Sequence, residues 1–172
     1  MKVAPLEAPS LTTDRLLLRM LQDADFEEYA AIHTDPEVTK YTVRAQLTRM
    51  ETWRHLAMIV GHWHLRGFGM WGVFEKSTGA LVGRVGFHQP DGWPDFELGW
   101  TIGRNWWGKG YASEAAKRCV AFAFDEMGRE HLISLIDPEN VASIHVAERI
   151  GESLEGEVQL SEHRLLVYGI TR

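Results

Sequence analysis

A strand-like stretch, residues 97–102, runs into a turn carrying Gly108 and Gly110, and a helical pattern starts at Tyr111. Such a junction can aim several backbone N–H groups at one point. The helix N-terminus adds a partial positive charge, so the site suits a phosphate or pyrophosphate. Glycine serves there because a side chain would block an approaching anion and because φ can be positive. Three phosphate-binding readings compete. Gly103-x-x-x-x-Gly108-Lys109 follows the nucleotide-hydrolase P-loop, but Gly110 stands where Ser or Thr must hold Mg²⁺, and no parallel βαβ core surrounds it. Gly108-x-Gly110-x-x-Ser113 puts Ser at the third glycine of the dinucleotide fingerprint, late in the chain and after antiparallel strands. A coenzyme A pyrophosphate cradle needs neither a metal nor a third glycine. A tight turn without ligand is the bland alternative, and the glycines alone do not exclude it.

Other reactive side chains say less. His62-Trp63-His64 invites a metal or a base, but helical residues two apart point away from each other, which favours an ordinary helix end. Cys119, the one cysteine, falls on the apolar face of the helix that follows the turn, where a buried thiol is inert. It excludes an intramolecular disulfide and fits a reducing compartment. No second Cys accompanies the eight His at zinc spacing, so no metal is expected.

The elements that must position these groups follow from the periodicities. Residues 1–10 read as a flexible tail and 11–172 as a single domain. Residues 11–19 (LTTDRLLLR) form a strand. Asp23 caps a helix over 24–33, with Phe26, Tyr29, Ala30 and His33 on one face, and Pro36 ends it. Thr48 and Glu51 make a capping box for a second helix, with Trp53, Leu56, Ala57, Val60 and Trp63 on one face. Strands over 70–75 and 80–88 flank the hairpin turn Lys76-Ser77-Thr78-Gly79, and Gly83 and Gly86 suggest a bulge or a close backbone approach. Residues 96–102 add a strand and 111–127 a helix stopped by Gly128. A strand over 131–136, a helix over 141–150 closed by Gly151, and strands over 153–160 and 164–170 complete a mixed α/β order. The sheet centre is antiparallel, because the links between residues 70 and 102 are too short for crossovers.

Composition narrows the field. The chain has 172 residues and a net charge of −6. That argues against a general nucleic-acid binder and mildly favours cationic partners. The longest unbroken apolar run, residues 119–124, is far short of a membrane span, and Pro5, Glu7 and Pro9 break any signal-like segment. The expectation is a soluble, cytoplasmic protein. Seven tryptophans are many for this length.

The flanking text then singles out one reading. Glu97-Leu98-Gly99-Trp100-Thr101-Ile102 followed by Trp106-Trp107-Gly108-Lys109-Gly110-Tyr111-Ala112-Ser113-Glu114-Ala115 resembles the central motif of GNAT-type N-acetyltransferases, in the RimJ/RimL-like variant. Asn140-x-x-Ser143-x-x-Val146-x-Glu148-Arg149-x-Gly151 resembles that branch's second motif, and Leu11-Thr12-Thr13-Asp14-Arg15-Leu16-x-Leu18-Arg19 its first strand. The resemblance covers residues 11 to about 170.

It implies a mixed, mostly antiparallel sheet flanked by helices, with central strands splaying into a V. It implies acetyl-CoA as acyl donor, no metal, and an amine acceptor that is a small molecule or a protein N-terminus. The backbone of Trp100 and Ile102 would pair with the pantetheine arm. N–H groups of Trp107, Gly108, Lys109, Gly110, Tyr111 and Ala112 would hold the pyrophosphate, with the Lys109 side chain as an optional charge. Asn140 would bind the pantetheine amide, or cap the helix, or both. Glu97 is the candidate base and a substrate ligand. The family's usual Tyr, seven residues after the Asn, is here Ala147, so Ser143 stands in as candidate acid or thiolate partner, with Tyr111 as runner-up. The acceptor pocket would come from the first two helices, the 89–95 loop and the last strand pair, with Trp63 and Trp93 as binding aromatics. Exposed strand edges and the many tryptophans leave room for a homodimer. A non-catalytic acyl-CoA-binding module is the alternative.

Overall fold

The computed structural model describes residues 8–42 and 46–172. The chain runs β1 (Leu11–Thr12), β2 (Leu16–Arg19), a 3-10 turn (Asp23–Asp25), α1 (Phe26–His33), α2 (Pro36–Thr39) and α3 (Arg49–Arg66). It continues with β3 (Met70–Glu75), β4 (Leu81–His88), β5 (Glu97–Ile102), α4 (Tyr111–Asp125), β6 (His131–Ile136), α5 (Val141–Ile150), β7 (Ser153–Leu160) and β8 (His163–Thr171). The eight strands make one sheet in the order β1-β2-β3-β4-β5-β6-β8-β7. Every neighbouring pair is antiparallel except β5 and β6, which are parallel and register only at Glu97 opposite Ile133.

Alternation along the strands gives the sheet two buried faces. Trp71, Val85, Phe87 and Leu98 pack under α4, whose Ala115, Ala116, Cys119 and Ala123 bring the helix close. Met70 and Phe74 face the other way, against Tyr29 and Ile32 of α1 and Leu56 and Ile59 of α3. Burial pushes the Cys119 thiol far up, which removes it as a nucleophile.

Several expectations hold locally. Thr48 and Glu51 form the reciprocal capping box. Gly79 closes the β3–β4 hairpin at φ 76°. A Cβ on Gly83 would lie 2.2 Å from Thr101 O, so that glycine permits a close backbone approach.

Others are corrected. The first strand is two short strands, because the Thr13 hydroxyl accepts from Leu16 N–H at 2.9 Å and turns the chain between them. Asp23 caps nothing: it opens the 3-10 turn, where the Asp25 carboxylate accepts from Gln22 N–H and pairs with Arg19. Pro36 opens α2 instead of ending a helix, since Asp35 caps it and the proline sits in its first turn. The buried stripe of α3 is Thr52, Leu56, Ile59 and Trp63, with Ala57 and Trp53 exposed. Of the expected tail, residues 1–7 lie outside the described residues, while Pro9 O accepts from Trp71 Nε1 at 2.7 Å.

Candidate active site

Parity along β5 decides which backbone groups are free. Gly103 N–H bonds Val82 O on β4, so odd-numbered residues of β5 turn their backbone groups to β4 and even-numbered ones to β6. Phe96 O accepts from Ile133 N–H, and Leu98 O accepts from the Ser134 hydroxyl at 2.8 Å. Beyond Leu98 the two strands part. Trp100 then faces the gap with both backbone groups, and Ile102 with its N–H, its carbonyl accepting from Trp107 Nε1 at 2.7 Å.

The gap joins two clefts. One, of about 640 Å³, runs from the glycine turn along Trp100, Ile102, Tyr111 and Ala112 to Asn140 and Ser143. The other, of about 320 Å³, lies on the α3 side and includes His55, Arg84, His88, Trp93, Glu97 and Gly99. Tyr41, Thr42, Trp100, Thr101, Asn140 and Ser143 line both.

The glycine turn presents unpaired backbone donors beside open space. Gly108 and Gly110 have φ of 75° and 79°, and a Cβ on Gly108 would point into open space. α4 has no side-chain cap, and its first main-chain bond is Glu114 N–H to Gly110 O. The N–H groups of Gly108 to Ser113 therefore find no acceptor among the described residues. The helix start is fixed from outside, because Glu114 accepts from the Thr13 hydroxyl and pairs with Arg15, while the Tyr111 hydroxyl donates to Glu75.

Glu97 sits where β5 leaves β6. Its carboxylate accepts from Trp93 Nε1 at 2.7 Å and from Leu135 N–H. Burial pushes its pKa up to about 7, against those two donors and the Arg84 charge. Behind it, Ser134 Oγ lies 2.8 Å from Leu98 O and 2.8 Å from Glu152 Oε1. One hydroxyl proton cannot serve two acceptors, and the carbonyl can only accept. Burial pushes the Glu152 pKa up to about 8, so near neutrality this carboxyl keeps its proton and can donate it to Ser134 Oγ, while the Ser134 hydroxyl donates to Leu98 O. Across the gap Ser143 Oγ accepts from Trp100 Nε1 at 3.2 Å, and Asn140 Oδ1 accepts from Ser143 N–H as the cap of α5.

Residues 15–152 match the acetyltransferase (GNAT) domain family. The chain is 34% identical over 150 residues to the uncharacterized protein YkkB of Bacillus subtilis, covering 82% of this chain and 83% of that one. It is 30% identical over 149 residues to the uncharacterized N-acetyltransferase p20 of Bacillus licheniformis, covering 86% and 84%. The crystal structure of an acetyltransferase from Agrobacterium tumefaciens superposes with a TM-score of 0.87 at 31% identity, covering 100% of this chain and 99% of that one.

The chain belongs to the GNAT acetyltransferase family. It is an acyltransferase, and its sheet of eight strands flanked by helices is the fold of those relatives.

Within this acetyltransferase, the residues singled out in the sequence separate into lining and supporting groups. Trp100, Asn140 and Ser143 line both clefts, while Glu97 and the Trp93 hydrogen-bonded to it line the smaller one. Ile102, Trp107, Gly108, Gly110, Tyr111 and Ala112 line the larger cleft. Lys109 holds its ammonium 4.4 Å from the Trp106 ring and its side chain does not line that cleft. Trp63 is corrected. It is buried, its Nε1 donates to Met70 O at 2.9 Å, and its ring packs on Trp71, so it supports the sheet and contacts neither cleft. His62 is structural too, bridging Phe68 O and Gln89 N–H. Sequence reasoning missed Tyr41, Arg84 and Thr101. Arg84 did leave a signal, a lone charge within the apolar stretch Leu81–His88.

Proposed function

We propose that the protein moves an acetyl group from acetyl-CoA directly to a primary amine, a small molecule or a protein N-terminus, with both partners bound together. The observation that carries this reading is the parting of β5 from β6 beyond Glu97, which leaves Trp100's backbone unpaired beside a carboxylate of raised proton affinity. The unpaired N–H groups from Gly108 to Ser113 would hold the pyrophosphate, the Trp100 backbone and Ile102 N–H the pantetheine, and the Asn140 amide NH₂ its amide carbonyl. The Asn140 oxygen is already engaged in the cap. When bound, acetyl-CoA supplies a thioester carbonyl open to attack by an amine.

An ammonium has no lone pair, so its proton must leave first. Glu97, titrating near neutrality, accepts it directly or through water, and Trp93 holds the carboxylate in place. N–H groups on the free edge of β5 offset negative charge on the carbonyl oxygen. The Ser143 hydroxyl is the donor available to the departing thiolate, since the family's Tyr position is Ala147, fully buried against Ile136 and Tyr168. The enzyme would work in the cytoplasm, and its exposed sheet edges would allow a homodimer.

The test is release of free coenzyme A across a panel of peptides, polyamines, amino acids and aminoglycosides, with calorimetry for acetyl-CoA. Absence of binding at millimolar acetyl-CoA would overturn the reading. The missing phenol at position 147 favours one other reading, an acyl-CoA-binding module without catalysis. Turnover of any amine eliminates it.

A further inference from the structure

Arg84 on β4 is only 7% exposed, yet no ion pair among the described residues includes it. Its Nε donates to His33 Nε2 at 3.2 Å, and its Nη1 contacts the Met70 sulfur. Neither partner carries negative charge. His33 Nδ1 donates to Tyr29 O at 3.0 Å, which leaves Nε2 as the bare acceptor of a neutral ring, and burial drives its pKa well down. Two further histidines on the cleft are neutral as well: burial lowers His55 to about 3 and His88 to about 4. Arginine does not shed its proton, so a buried cation stands at the cleft with free guanidinium donors and no protein anion in contact. A buried charge is normally paired.

A second observation falls beside it. Thr101 Oγ1 is buried and has no hydrogen-bond partner. Thr101 is the cross-strand partner of Arg84, so their side chains adjoin on one face of the sheet, and both line the 320 Å³ cleft. A forked cation beside an unused hydroxyl donor suits a carboxylate or another small oxyanion. Glu97 lies on the same strand face as Thr101, four residues away, about 13 Å along the strand. Gly99 lies between them; a Cβ there would lie 2.9 Å from the Met70 methyl and 3.8 Å from Glu97 Oε1, so the Glu97 carboxylate reaches back over Gly99 toward the Arg84 charge, which draws its pKa down, without pairing with it.

We propose that Arg84 and Thr101 form an oxyanion-binding end of the acceptor subsite. The acceptor is then an amine whose molecule also carries a carboxylate or similar oxyanion, with a short spacer that sets its amine beside Glu97 and its anion on Arg84. The substrate class rests on the acetyl-transfer reading above; the anion site itself does not.

The test uses ω-amino acids of three to six carbons, the matching ω-amino phosphonates, and the amides and plain alkylamines of equal length. Turnover with acetyl-CoA is measured beside calorimetric binding of pentanoate and butylphosphonate, which have no amine, to the coenzyme A-loaded enzyme. Wild type should prefer the anionic amines over their amides at least tenfold in kcat/KM, and the carboxylate and phosphonate arms tell which oxyanion fits. Arg84→Gln should erase that preference and weaken binding of the anions at least tenfold. Arg84→Lys, which keeps the charge and loses the fork, should recover part of it. Thr101→Val should fold normally, since its hydroxyl has no protein partner, and weaken the anions severalfold. Equal turnover of acids and amides by wild type, or a preference untouched in the Arg84 and Thr101 variants, would overturn the proposal. If no amine is acetylated while the anions bind through Arg84, the acetyl-transfer reading fails and the anion site stands. If the anions bind wild type and Arg84→Gln alike, or not at all, the anion site fails.

Discussion

Replacing Glu97 by Gln separates proton acceptance from every other role of that side chain. With a pKa of about 7, the carboxyl is roughly one-tenth ionised at pH 6 and roughly nine-tenths at pH 8. For an acceptor amine with a lysine-like pKa of about 10.4, wild-type kcat/KM should rise about tenfold across that window and then level off, because Glu97 removes the proton from the ammonium. The variant has no proton acceptor and must wait for free amine. Its rate should climb about tenfold per pH unit through pH 9, starting from a level lower by about 10²–10⁴ at pH 7, the usual worth of a general base. Gln has one acceptor oxygen for the two donors that Glu97 satisfies, Trp93 Nε1 and Leu135 N–H. One buried donor is left unpaired, costing about 1–3 kcal/mol of stability. Acetyl-CoA binding by calorimetry should change little, since the glycine turn is untouched. The assay is initial-rate thiol release from pH 5.5 to 9.5 in both proteins. A variant that keeps the wild-type inflection near pH 7 would refute the assignment of Glu97 as the base.

Gly110→Asp places a carboxylate among the free N–H groups at the start of α4, at φ 79°, where a Cβ meets nothing nearer than Arg15 at 3.7 Å. The fold should survive with about 1–2 kcal/mol of strain, while calorimetry should show coenzyme A affinity falling by an order of magnitude or more; unchanged affinity would exclude the turn as the pyrophosphate site. Trp63→Ala should destabilise by about 3–5 kcal/mol in urea unfolding and leave the acceptor KM of the folded enzyme unchanged. Glu152→Gln bears on pH stability: folded Glu97 and Glu152 hold protons that their unfolded carboxyls release from pH 4.5 upward, so wild-type stability should fall between about pH 5 and pH 8. The Glu152 share, a rise from 4.5 to about 8, is on the order of 5 kcal/mol and should vanish in the variant, read as a flatter urea midpoint between pH 5 and pH 9.

What the sequence disclosed depended on how local the cause was. The capping box at Thr48, the hairpin at Lys76–Gly79, the glycine turn and the Asn140 cap are set by residues within a few positions of one another, and each appears where its motif stands. The first strand and Pro36 were misread because equally local chemistry, a Thr13 side-chain turn and an Asp35 cap, competed with the apolar pattern. Trp63 was misplaced for a different reason. Trp53 and Trp63 both fit a helical stripe, and only the packing of α3 on β3 buries the second and leaves the first half exposed. The pair proposed as an anion site was out of reach altogether. Arg84 and Thr101 are neighbours through the β4–β5 register, and a single sequence does not carry a register.

The same non-local pairing explains why the gap and the candidate base occur together. A parallel ladder between β5 and β6 would continue from Phe96 by joining Leu135 N–H to Leu98 O. Neither group is available: Leu98 O is capped by the Ser134 hydroxyl and Leu135 N–H by the Glu97 carboxylate. Two side chains thus end the pairing that would otherwise close the sheet, and one of them is the group proposed to take the proton. Glu152, neutral behind Ser134, lets the hydroxyl spend its own proton on Leu98 O. Were Glu152 ionised, it would compete for that proton and set a second negative charge beside Glu97. The buried acid therefore holds the strand ends apart and keeps Glu97 from being pushed still further above neutrality. Both effects depend on Glu152 keeping its proton at the pH where the enzyme works.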